Sequence, residues 1–339
     1  MERKSLYFAR PRAVEVREER VGLPGDGEVL VRTVLSGISA GTEMLFYRDQ
    51  LEAGIPLDAK ISSLAGSFDY PFKYGYATVG EVIDRGSGVP SELEGRLVFS
   101  FHPHESHFTI PPGDLVIVPE GLSAEDAVFL PSMETAVSLV MDGGPVIGED
   151  VMVIGQGVIG LLTTALLARS PLSSLSTLER YPLRQRMSLE MGSGRCLDGT
   201  GPPSELLRDC GLGPRRADLT YELSGNPEAL NLAMKLTGFE GRVVLGSWYG
   251  NKAAILRFGE DFHRNRLRII SSQVSSIGPL LSGRWDKRRR LDLAWRMIKG
   301  VRPSRLITHR FDISAAPEAY GLLDSNGQDA LQVVLTYGG

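Results

Sequence analysis

The chain has 339 residues, 42% hydrophobic and 23% charged, with a formal net charge of −4. This composition excludes a disordered or fibrous chain and suits roughly two globular domains. The basic residues are dispersed rather than blocked, which gives no electrostatic footprint for nucleic acid and makes a small molecule the expected partner.

Two cysteines, Cys196 and Cys210, provide neither a disulfide framework nor a cysteine-rich zinc site. No run approaches the roughly 20 apolar residues of a membrane span. The opening "MERKSLYFARPRAVEV" carries no signal-like apolar stretch, so the expected location is the cytoplasm.

From Ser5 to about Pro119 the pattern is strand-like, with β-branched runs such as "EVLVRTVLSGI" and "GYATVGEVIDRG" broken by glycine and proline. At "PEGLSAEDAVFLPSMETAVSLVMDGG" the period changes. Ser123 is an expected N-cap, and Ala127, Leu130, Met133, Ala136 and Val137 recur at helical spacing, predicting a helical bridge. After Gly144 six runs, "VMVIG", "LSTLE", "RCLD", "ADLTYEL", "GRVVLGSW" and "LRIISS", alternate with helical segments such as Val158–Ala168, Pro182–Met191 and Pro227–Leu236. The fold class this predicts is α/β, a doubly wound parallel sheet following a β-rich domain. The run "RWDKRRRLDLAW" reads as a charged helix face, and the tail from Leu306 returns to the first domain.

The stretch "VMVIGQGVIGLL" places Gly155, Gly157 and Gly160 where a strand ends and a helix begins. Gly155 permits the tight turn, Gly157 a close approach of pyrophosphate to the backbone, and Gly160 close packing of helix on strand. Gln156, Val158 and Ile159 share that turn and are counted with it as cofactor-binding residues. Glu179 follows Gly160 by nineteen residues, where an acid would accept hydrogen bonds from ribose hydroxyls and favour NAD. Arg180 and Arg184 beside it keep NADP possible, since a guanidinium pairs with a 2′-phosphate. Ser224 and Gly246, after the fourth and fifth strand runs, complete the cofactor set.

The β-rich front, the nucleotide fold placed before a short return tail, "GSWYG", and "LITHRF…APEAYGLL" together resemble the medium-chain dehydrogenase/reductase superfamily, over essentially the whole chain. The resemblance implies a GroES-like catalytic domain (1–130 and 300–339), a Rossmann domain (131–299), an active site in the cleft between them and a homodimer. It also implies that Thr135 touches the nicotinamide. Zinc-dependent members hold a Cys where this chain has Ser39 in "SGISAGTE". They hold His and an acid where it has Tyr76 and Ala77, with a third ligand near Pro131, and the four-cysteine lobe is missing. Hydroxyl, phenol and proline do not replace thiolate, imidazole and carboxylate, so no zinc is expected. A different metal on "HPHESH" would use His102 and His104, which share a face in an extended segment, with Glu105 and His107 nearby. The other reading of that loop is a pocket lining.

Without a Lewis acid, hydride exchange needs hydrogen-bond donors at the oxygen that gains charge. Tyr76 leads as donor and proton carrier, against the alternative of an aromatic packed under its turn. Ser39 and Thr42 are expected to complete a relay or contact the nicotinamide ribose, His102 and His104 are candidate general acids or bases, and Glu43 reads as easily as a solvated turn residue. Glu134 either reaches the pocket or pairs on a helix surface. Trp248 and Tyr249 flank the nicotinamide end or pack at the junction. The expected function is a zinc-independent NAD(P)-dependent oxidoreductase of a polar alcohol or carbonyl. A quinone- or enoyl-type double-bond reductase and a catalytically silent dinucleotide-binding paralogue remain the alternatives.

Overall fold

Along residues 31–35, Val31, Thr33 and Leu35 are buried while Arg32 and Val34 are exposed, the period of two that a half-covered strand requires. A computed structural model, describing residues 1–57, 62–64 and 66–338, turns such patterns into two units: Met1–Pro131 with Ile298–Gly339, and Ser132–Met297. The chain opens with an antiparallel hairpin of β1 (Glu2–Arg10) and β2 (Ala13–Arg20). Then come β3 (Val29–Ile38), the short helix α1 (Glu43–Tyr47), β4 (Thr78–Arg85), β5 (Leu97–Ser100), β6 (His107–Ile110) and β7 (Leu115–Ile117).

The helical bridge is two helices rather than one, α2 (Ala124–Ala127) and α3 (Leu130–Gly143). Ser123 caps α2 by accepting the Asp126 N–H at 3.1 Å. Pro131 stands in the first turn of α3, where its missing N–H costs nothing.

The second unit alternates β8 (Asp150–Ile154), α4 (Val158–Leu167), β9 (Ser174–Leu178), α5 (Pro182–Glu190), β10 (Arg195–Leu197), α6 (Pro203–Asp209), β11 (Ala217–Glu222), α7 (Ala229–Leu236), β12 (Thr237–Leu245) and β13 (Arg268–Ser271). All six strands pair in parallel, in the order β10-β9-β8-β11-β12-β13. β8 and β11 are therefore central, and their side chains Val151, Met152, Val153, Leu219 and Tyr221 are fully buried. The order reverses between β8 and β11, the switch point at which such sheets bind ligands beyond their carboxyl ends.

α8 (Pro279–Ser282) and α9 (Lys287–Val301) follow. α9 carries the charged face that "RWDKRRRLDLAW" suggests, with Lys287, Arg288, Arg289 and Asp292 exposed, but not all of the run belongs to it. Ala294 and Trp295 are buried, and so is Arg290, whose guanidinium donates to Glu134 Oε1 (3.1 and 2.9 Å) and to Ser138 (2.8 Å). Glu134 therefore neither reaches a pocket nor pairs on a surface.

The chain then returns to the first unit with β14 (Ile307–Asp312), α10 (Ala316–Ser325) and β15 (Gln332–Thr336). β15 lies between β14 and β3 in the sheet β14-β15-β3-β4-β5-β7, with β6 also paired to β3. Its core is aromatic. Phe8, Phe46, Phe72 and Tyr320 meet at centroid distances of 5.2–5.6 Å, where offset and edge-on rings add to the burial gain. No helix among the described residues is long and apolar enough to cross a membrane.

Candidate active site

In the first unit the antiparallel register Ser36↔Thr78 continues through Gly37, whose N–H donates to the Ala77 carbonyl at 2.8 Å. The turn after β3 and the turn before β4 are thereby brought side by side, and Tyr76 meets Ser39. The phenol donates to Ser39 Oγ at 2.6 Å and lies 3.3 Å from Thr42 Oγ1, while Ser39 Oγ accepts the Thr42 N–H at 3.3 Å. All three residues are partly buried. Burial raises the Tyr76 pKa above its ordinary value, so at neutral pH it is a phenol that donates and not a phenolate that accepts.

Behind these hydroxyls lies a group that sequence reasoning had only half seen. Glu43, the first residue of α1, is fully buried and not a solvated turn residue. Its Oε1 accepts the Ser39 N–H at 2.8 Å, and its Oε2 faces His104 Nε2 at 3.1 Å and accepts the Tyr320 hydroxyl. His104 Nδ1 lies 2.6 Å from Ser36 Oγ, which lies 2.7 Å from the Tyr337 hydroxyl. His104 packs so tightly on residue 75 that a Cβ there would stand 2.7 Å from its ring, and Gly75 also holds a φ of +129°. A glycine is therefore needed at that turn.

The structure thus unites Tyr76, Ser39, Thr42 and His104, but His104 is fully enclosed, with both ring nitrogens engaged. This corrects its assignment as an acid or base meeting substrate directly.

His102 belongs elsewhere. Residues 101–106 form no strand, so the two imidazoles do not share a face. His102 stacks on Phe108 at 3.8 Å, with Nδ1 3.1 Å from the Pro103 carbonyl. Beside it Glu105 accepts from Arg3 (3.2 Å), Ser5 (3.0 Å) and Lys73 (2.6 Å), and Lys73 also donates to Glu19 at 2.7 Å. Among the described residues no group of three or more His, Cys, Asp or Glu side chains is placed to hold a metal.

Burial pushes the His102 pKa down to about 4, against about 6.5 when unfolded. Between these values the unfolded chain binds the extra proton, so His102 costs stability as pH falls from about 6.5 to 4. A His102→Phe variant is expected to lose less stability than the wild type over that window, by on the order of 3 kcal/mol, in thermal unfolding at its two ends. An unchanged pH slope would refute this. Glu19, held down to about 2 chiefly by Lys73 and Tyr7 hydrogen bonds that overcome burial, acts in a lower window.

In the second unit the glycine turn has the geometry that a dinucleotide needs. Gly155 has φ +91°, and a Cβ there would lie 2.6 Å from Ser224 Cα; on Gly160 it would lie 2.0 Å from the Gly155 carbonyl. At Gly157 nothing stands within 4 Å of that position, and no side chain caps the start of α4. Open space before an uncapped helix N-terminus is what a pyrophosphate requires. Gln156 is fully buried and ties the turn to α4 through Thr164 (3.1 Å), while Val158 and Ile159 open the helix.

Glu179, at the end of β9, accepts the N–H groups of Gln156 (2.8 Å), Arg180 (2.8 Å) and Tyr181 (3.1 Å). Arg180 is exposed, and Arg184 lies over the Tyr181 ring at 5.1 Å. Ser224 donates its N–H to Glu222 Oε1 at 2.8 Å, and Gly246 is closed in by Leu139 and Leu223. Glu222 is a buried carboxylate that the sequence did not single out; it accepts the Tyr249 hydroxyl at 2.5 Å. Trp248 is 48% exposed, and Thr135, on α3, is partly buried.

Solved structures superpose on this chain along nearly its full length. One described as a short chain alcohol dehydrogenase from Escherichia coli CFT073, complexed with NADH, gives a TM-score of 0.79 at 19% identity, covering 99% of each chain. The likeness is one of fold, a β-rich unit and a parallel-sheet unit as in these alcohol dehydrogenase structures. A chain described as a zinc-binding dehydrogenase from Sinorhizobium meliloti 1021, bound to NADP, gives 0.78 at 20% identity over 99% of each. Among curated proteins, D-guloside 3-dehydrogenase of Escherichia coli K12 is 23% identical over 98% of this chain and all of its own. No family model matches.

Proposed function

We propose that the protein is an NAD(P)-dependent oxidoreductase exchanging a hydride between nicotinamide and the carbinol or carbonyl carbon of a polar small molecule, without zinc. The observation that carries the reading is the glycine turn at the switch point of the parallel sheet, with open space before Gly157 and Glu179 at the end of the next strand. Gly155, Gln156, Gly157, Val158, Ile159 and Gly160 would hold the pyrophosphate, Glu179 the ribose hydroxyls, with Arg180, Ser224, Gly246 and Thr135 around them. NAD is favoured because the Glu179 carboxylate would repel a 2′-phosphate. The alcohol chemistry accords with the relatives, whose names are those of dehydrogenases of hydroxyl compounds. The bound nicotinamide supplies or accepts the hydride.

The chain's own part is the oxygen. In the reducing direction a carbonyl oxygen gains charge, and the Tyr76 O–H turns from Ser39 to donate to it, passing its proton as the alcohol forms. Ser39 then turns its own O–H to donate to the phenolate left on Tyr76, 2.6 Å away, until a proton from solvent restores the phenol. The zinc-free reading is supported by the donor set. Serine, tyrosine and proline stand at the three ligand positions that the resemblance assigns, and the first two are bonded to each other.

Titration of metal-analysed protein with NADH and NADPH, followed by nicotinamide fluorescence, tests the proposal. NADH is expected to bind more tightly than NADPH, and Glu179→Ala to weaken NADH by on the order of tenfold while narrowing the preference. Binding of neither nucleotide would overturn the reading, tighter NADPH would overturn the cofactor preference, and stoichiometric zinc would overturn the metal-free chemistry.

A further inference from the structure

The buried group behind the hydroxyls invites a role of its own. An enclosed carboxylate and imidazole are costly, and apolar side chains of similar size would fill the same space more cheaply. Here each of these polar groups meets a partner. The Tyr337 hydroxyl lies against Ser36 Oγ, Ser36 Oγ against His104 Nδ1, and His104 Nε2 against Glu43 Oε2, which also accepts the Tyr320 hydroxyl. The remaining oxygen, Oε1, receives one group from the turn outside: the Ser39 N–H.

We propose that Glu43 and His104 are positioning residues, which fix the Ser39 turn through its backbone N–H so that the Ser39 hydroxyl meets Tyr76. Neither touches substrate; both act through Ser39. The inference rests on the assignment of Tyr76 and Ser39 to the reacting oxygen made above.

The charge-assisted bond from Ser39 N–H to a carboxylate is short and directional. It anchors the one residue shared by the buried group and the partly exposed hydroxyls, because Ser39 Oγ accepts from both Tyr76 and Thr42. His104 holds the carboxylate in turn, since a second ring nitrogen bonded to Ser36 on β3 leaves the imidazole no freedom to rotate. Gly75 serves the same end by letting the His104 ring lie against the backbone one residue before Tyr76.

The test uses Glu43→Gln, which keeps the shape and removes the charge, in the full chain. In the absence of any substrate, the backbone amide proton of Ser39 is expected far downfield in the nuclear magnetic resonance spectrum of the wild type. It should shift upfield in Glu43→Gln. With a turned-over alcohol, Glu43→Gln is expected to lower kcat by about 10 to 100-fold at nearly constant KM and unchanged NADH affinity, the scale of a small misplacement of a catalytic group.

The double variant Ser39→Ala with Glu43→Gln should be no slower than Ser39→Ala alone, because the carboxylate has nothing left to position. An unmoved Ser39 amide, or additive losses in the double variant, would overturn the proposal. Should the Ser39→Ala and Tyr76→Phe variants turn over like the wild type, the assignment of the hydroxyls fails instead. The amide shift still decides whether the buried pair holds the turn.

Discussion

Tyr76→Phe is expected to lower kcat by about 10² to 10⁴-fold, the usual contribution of a positioned proton donor, while leaving KM for NADH and the unfolding temperature close to those of the wild type. The phenyl ring keeps its edge-on contact with Tyr74, whose centroid lies 6.1 Å away. Only the hydroxyl between Ser39 and Thr42 is lost. Because burial raises the Tyr76 pKa, the wild-type rate for carbonyl reduction should hold steady through the range where an ordinary phenol begins to ionise. Steady-state kinetics of both proteins across pH check this. A variant as fast as the wild type would leave Tyr76 as the packed aromatic that the sequence also allowed.

The largest expected loss of stability comes from the second unit. Arg290→Leu leaves Glu134 enclosed without its cation, and breaking a buried pair in this way costs about 3 to 5 kcal/mol. Burial already holds the Glu134 pKa above the ordinary carboxylate value despite Arg290, and removing the guanidinium lets it rise further. The folded variant then binds a proton that the unfolded chain has released, so its stability falls as pH rises between the two pKa values. The double variant Glu134→Leu with Arg290→Leu should recover most of the loss, since it leaves no buried charge and no lone donor. Denaturant unfolding of the three proteins near neutral pH measures the difference. A single variant as stable as the wild type would show that water reaches the carboxylate.

How far the sequence carried the reading depended on the range of the signal. The central strands of the second unit were legible because both faces of each are covered, so apolar runs survive in the primary structure. The glycine turn was legible because its constraint is local: three glycines, one strand end and one helix start. Ser123 was legible as a cap for the same reason, and the break between α2 and α3 was missed because helical spacing continues across it. Glu43 and Arg290 were misread. Glu43 follows a small-residue turn and Arg290 a basic run, and what buries each comes from far along the chain: Tyr320 and His104 for one, Glu134 for the other. The two histidines of "HPHESH" were seen as a pair because they are close in sequence, yet irregular backbone sends them to different partners. Spacing alone carries no information about such separations.

The return of the chain to the first unit after residue 298 has a consequence for its biosynthesis. Emerging from the ribosome, residues 35–38 of β3 lack the partner that β15 will supply, and the whole second unit is translated before that partner appears. Tyr320 and Tyr337, which complete the buried group around Glu43 and His104, follow the whole second unit in the chain. The nucleotide-type unit is thus free to fold during synthesis, whereas the hydroxyl-bearing turn waits beside a partly open sheet edge until β15 has emerged. In a nascent polypeptide, order at the Tyr76 turn marks the moment at which the C-terminal strand has docked.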